Sequence, residues 1–127
     1  MMATLVSPAP PTEDRIWRLS VEQYHAMIEA GILASGSPVE LVEGLLLGKM
    51  PHNPPHRFAM VQLQNLIPRM LPSGWQMMIQ VPITLDDSEP EPDIFIARGS
   101  NSDYPDRHPG PADVALAIEI SDSSLAQ

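Results

Sequence analysis

The sequence predicts a single α/β domain. Two apolar stripes recur at helical spacing, several short runs alternate like strands, and neither repeats nor an internal linker interrupt them. With 127 residues, 43% of them hydrophobic, the chain is long enough to bury one core.

Residues 1–15, small and proline-rich without periodicity, read as a flexible tail, which leaves 16–127 as the domain. The stretch "LSVEQYHAMIEAGIL" predicts a short helix. Ser20 is placed to cap it, Gln23 to complete a capping box and Gly31 to stop it. Val21, Tyr24, Met27 and Ile28 fall on one face. "PVELVEGLLLGKM" predicts two short strands turning at Glu43-Gly44. "PHNPPHRFAMVQLQNLIPRML" predicts a longer helix beginning after Pro55, with His56, Met60, Leu63, Ile67 and Met70 on one stripe and Pro68 shortening its end. "WQMMIQVPITL" is expected as a strand with an edge or bulge at Pro82, followed by strands "DIFIARG" and "VALAIEIS". "DSSLAQ" is placed to begin a further helix, with Asp122 or Ser123 as its cap.

Composition narrows the function classes. Seven Lys plus Arg against sixteen Asp plus Glu give a net charge of −9, unlike a chain that grips nucleic acid through a broad basic surface. Lys49 is the only lysine. The lack of cysteine excludes disulfides and thiolate metal sites. No apolar run approaches the roughly 20 residues of a membrane helix, and the N-terminus lacks the basic start and long apolar stretch of a secretory signal, so a cytoplasmic protein is expected.

The acids before "DIFIARG" pose the chemical question. A carboxylate beside an apolar strand is costly unless a partner meets it. Alternation puts Val114, Leu116, Ile118 and Ile120 on one face of the last strand and Ala115, Ala117, Glu119 and Ser121 on the other. If this strand pairs with the one opened by Asp93, the two carboxylates converge, and hard oxygen ligands of that kind suit Mg²⁺ or Mn²⁺. On the residues alone the plainer readings stay open. Asp93 could simply end a turn, and Glu119 could pair with Arg98 or Arg107. His56 could be a core-edge histidine, and Glu40 and Glu43 a solvated strand face. Glu89 and Glu91 are expected to be solvated. His25, His52 and His108 have no spacing that suggests zinc.

The ordered blocks "VELVEG", "HNPPHRFAMVQLQNLI", "SEPEPDIFIAR" and "DRHPGPADVALAIEISDSSL" resemble the Uma-two-like family of restriction endonucleases, from about Trp17 to Leu125. The resemblance implies a restriction-endonuclease-like core of the PD-(D/E)xK superfamily, a mixed central sheet flanked by helices. It implies Asp93 and Glu119 as ligands of Mg²⁺ or Mn²⁺, with Glu40 and His56 as further site residues. It also implies metal-dependent hydrolysis of nucleic-acid phosphodiester bonds, DNA in the first instance.

The departure from the pattern is Ser121, which stands where the superfamily signature has lysine two residues after the Glu. In the family the lysine is displaced to a later helix, so the domain is expected to be incomplete at its C-terminus and weak or inactive as an enzyme. The alternative is a catalytically silent interaction module, its open sheet edge favouring a homodimer.

Overall fold

The structure is a computed structural model, and it describes residues 9–10, 12–34 and 36–121. The expected tail up to residue 8 and the expected helix start at 122–123 lie outside the described residues.

Helix α1 (Val21–Glu29) begins with the capping box that its sequence encodes. Ser20 Oγ accepts the Gln23 N–H at 3.0 Å, and Gln23 Oε1 accepts the Ser20 N–H at 2.9 Å. Gly31, at φ +76°, follows the last turn in the left-handed conformation open to glycine. The buried face carries Val21 and Tyr24, packed with Leu41 of strand β1 and with Leu19 and Leu33.

Strands β1 (Val39–Val42) and β2 (Leu45–Gly48) pair antiparallel around Glu43 (φ 50°) and Gly44 (φ 79°), the two positive-φ positions that a tight hairpin requires. Gly44 is needed for space as well, because a Cβ there would stand 2.6 Å from Arg18 Cβ. The acidic segment runs alongside this hairpin. Gly44 N–H donates to Asp87 O (2.9 Å), Glu43 N–H to Ser88 Oγ (2.8 Å) and Glu89 N–H to Leu41 O (2.7 Å). A run that looks like a solvated turn is therefore fastened to β1, and it delivers Asp93 to β4 at a fixed height.

Helix α2 (Pro54–Leu66) starts two residues earlier than expected. Asn53 is its cap, accepting the His56 N–H at 3.0 Å, and Pro54 takes the first-turn position where a missing N–H costs nothing. Pro68 ends the α-helix and the chain tightens into a 3-10 turn at Ile67–Arg69. Of the predicted stripe Met60 is buried, and Met70 is exposed because it lies beyond that break.

Strands β3 (Trp75–Ile79), β4 (Ile94–Arg98) and β5 (Val114–Ile118) form a sheet in the order β3-β4-β5. The expected mixed sheet is realised, among the described residues, as two antiparallel sheets, and an isolated Leu41–Glu89 bridge ties β1 to the acidic segment that leads into β4. β4 is the centre of the core. Phe95 and Ala97 pack against Met78 and Ile83, with Tyr104 and Val114 at the margin. β3 is shorter than expected, because the chain turns at Gln80 (φ 53°) and Pro82 has no N–H for the ladder. A bulge between Ile96 and Ala97 also corrects the expected alternation. Ala97 pairs with Val114 while Ile96 pairs with Leu116, so Ala115 is the extra residue and Val114 joins the Phe95 side. Beyond the bulge the register runs evenly to Ile94–Ile118.

Candidate metal centre

One step past the Ile94–Ile118 pair, in the same antiparallel register, stand Asp93 and Glu119. The register thus makes neighbours of two acids that are far apart in the chain. Ile120, the next residue of that segment, donates its N–H to Asp93 Oδ2 at 2.9 Å. Asp93 is 6% exposed, so its carboxylate depends on such donors. A second donor comes from the first turn of α2, where His56 Nε2 lies 3.0 Å from the same oxygen. Both bonds fall on Oδ2, and Oδ1 faces His52 Nε2 at 3.8 Å.

These groups line an open cleft of about 460 Å³ whose walls include Glu40, Lys49, His52, His56, Asp93 and Glu119. All four residues singled out from sequence are therefore in one place. Glu119 directly follows β5; it is exposed as a residue and lines the cleft. Partial burial first, then the charges of Asp93 and Glu40, raise its pKa above the usual carboxylate value, while a hydrogen bond from the Asp93 backbone and the nearby His56 act the other way. Glu40 has its own anchor, Oε2 accepting the Glu91 N–H at 2.8 Å.

The arginines considered as partners of Glu119 are engaged elsewhere. Arg107 bonds Asp113 at 2.8 Å, and Arg98 lies over the Trp75 ring at 4.9 Å. Two further expectations need correction. Glu89 is 3% exposed and accepts from Thr84 Oγ1 (2.8 Å) and faces His25 Nε2 (2.6 Å). Glu91 is half-buried and forms an ion pair with Lys49. Neither is solvated, because the segment is pinned along β1.

His52 was not foreseen as a site residue. One ligand atom from each of His52, His56 and Asp93 lies within 4.8 Å of the others, and the two imidazoles stack with centroids 4.1 Å apart. The signal was the spacing of four between the histidines. It was hidden because Asn53 caps the helix between them, so His52 lies outside α2 and helical periodicity does not describe the pair. The donor set fits a divalent cation: Asp93 has Oδ2 held by donors and Oδ1 towards His52, and the Glu119 carboxyl stands close to the charges of Asp93 and Glu40.

An α/β domain with antiparallel sheets, two helices and a carboxylate pair at adjacent strand ends is consistent with a restriction-endonuclease-like fold. The family model for Uma2, described as "putative restriction endonuclease", matches residues 21–127, and the chain belongs to that family. No curated protein and no solved structure matches it. No helix among the described residues is long and apolar enough to cross a membrane.

Proposed function

We propose that residues 16–127 act as a metal-dependent nuclease-type domain, with Asp93 and Glu119 holding one Mg²⁺ or Mn²⁺ and a nucleic-acid phosphodiester as substrate. The observation that carries this reading is the register that makes Asp93 and Glu119 neighbours beside a cleft also lined by Glu40 and His56. Family membership supports the reaction class.

Each side chain then has a task that its surroundings favour. Asp93 presents Oδ1 to the cleft while His56 and the Ile120 amide fix Oδ2. Glu119, one register step past the Ile94–Ile118 pair and lining the same cleft, would be the second carboxylate to hold the ion. A water oxygen bonds to phosphorus and gives up its proton to solvent, while the ester P–O bond breaks with its electron pair on the departing oxygen, which takes up a proton from solvent. Glu40, fixed by the Glu91 amide, contributes negative charge to the same cleft. Held by Asp93 and Glu119, a divalent cation would supply charge neutralisation at the phosphate and lower the pKa of water.

A second reading, a catalytically silent module, is favoured by Ser121 at the signature-lysine position and by the engagement of Lys49 with Glu91. Mn²⁺-dependent nicking of supercoiled plasmid separates the two. The nuclease reading predicts nicking by the wild type and none by an Asp93→Ala, Glu119→Ala double variant. Equal background in both favours the silent module.

A further inference from the structure

The two histidines of the cleft are chemically unequal. His56 Nδ1 is buried and has no hydrogen-bond partner. A buried orphan N–H is rarer than an under-satisfied acceptor, so this nitrogen is the bare one and the proton sits on Nε2, donated to Asp93. His56 thus orients the carboxylate and has no free nitrogen aimed at an ion beside it.

His52 has the opposite arrangement. Its Nδ1 lies 3.3 Å from Gln80 Nε2, and turning that side-chain amide over brings its oxygen to the same place. That amide offers a donor in one orientation and an acceptor in the other, so it can hold Nδ1 bare or Nδ1 protonated. With Nδ1–H bonded to the amide oxygen, Nε2 is left with its lone pair towards Asp93 Oδ1, 3.8 Å away. Two ligands of one ion at about 2.0–2.1 Å stand roughly 3.3 Å apart in tetrahedral geometry, so the observed gap closes by about 0.5 Å. The half-exposed His52 ring has room for that movement. Gln80 is itself special: its φ of 53° is uncommon for a residue other than glycine, and its backbone N–H donates to Asp93 O at 3.1 Å. The residue that braces His52 is therefore tied to Asp93 as well.

We infer that His52 is a metal ligand, braced by Gln80, and that it makes this centre prefer imidazole-accepting divalent cations such as Co²⁺, Ni²⁺ and Zn²⁺ over Mg²⁺. The inference rests on the metal reading above and adds a nitrogen ligand to it. Carboxylates and water suit Mg²⁺ and Mn²⁺, whereas an imidazole nitrogen suits the later first-row ions such as Ni²⁺ and Zn²⁺.

The test titrates the full 127-residue chain with Co²⁺, followed by visible absorption and calorimetry, and with Mg²⁺ by calorimetry. His52→Ala is expected to weaken Co²⁺ binding tenfold or more and to change its spectrum, while Mg²⁺ affinity stays within about twofold. Gln80→Ala is expected to weaken Co²⁺ by about tenfold, as loss of a ligand's outer hydrogen bond does. An unchanged Co²⁺ affinity and spectrum in His52→Ala overturns this inference alone, provided the Asp93→Ala, Glu119→Ala variant loses Mn²⁺. If the wild type binds no divalent cation, both readings fall.

Discussion

Glu89 and Asp93 sit four residues apart in one acidic segment, both are almost fully buried, and they have different surroundings. Glu89 is met by His25 and Thr84, inside the packing of the acidic segment on β1. Asp93 is met by His56 and a backbone amide on one oxygen, but its cleft also gathers Glu119 and Glu40. A buried carboxylate alone therefore does not mark a site. What distinguishes Asp93 is like charge converging on it, registered in the raised pKa of Glu119.

Removing each acid sharpens the contrast. Glu89→Ala leaves His25 and Thr84 without their buried acceptor and is expected to cost about 3 kcal/mol of stability, read by urea unfolding, with Mn²⁺ affinity unchanged. Asp93→Ala is expected to cost about 2 kcal/mol, because the His56 and Ile120 N–H groups lose their partner, and to abolish Mn²⁺ binding in calorimetry. If both variants kept their metal affinity, the contrast would be structural only.

Glu119→Gln acts in the other direction. A raised carboxyl pKa means that the folded chain favours the protonated form more than the unfolded chain does. The associated stability is present at low pH and is lost as pH rises through the raised value. At neutral pH the neutral amide should therefore raise the melting temperature of the metal-free protein, and the gain should vanish in acid. The same sign predicts that Mn²⁺ affinity falls as pH drops through the Glu119 titration. The smallest expected effect is a control at a distance: Ser20→Ala, which breaks the capping box of α1, should cost about 1 kcal/mol and leave Mn²⁺ affinity alone.

What sequence made legible was what neighbours decide. The Ser20–Gln23 box, the Gly31 stop and the Glu43-Gly44 turn are local chemistry, and each stands where its residues put it. The Asp93–Glu119 neighbourhood was accessible because strand alternation and family likeness agreed on it. The rest depends on contacts across the chain. No local pattern announces the Ile96/Ala97 bulge, which reversed the side taken by Val114. Nothing near Glu89 in sequence foretells the backbone bonds that bury it against β1. His52 belongs with them, since its partners Gln80 and Asp93 come from distant parts of the chain.

The central claim is that Asp93 and Glu119 share one divalent ion. Calorimetric titration of Mn²⁺ into the wild type and into the Asp93→Ala, Glu119→Ala double variant tests it most directly. Saturable binding of one ion to the wild type and none to the variant is the expected result. Equal binding in the two proteins, or no binding in either, would contradict it.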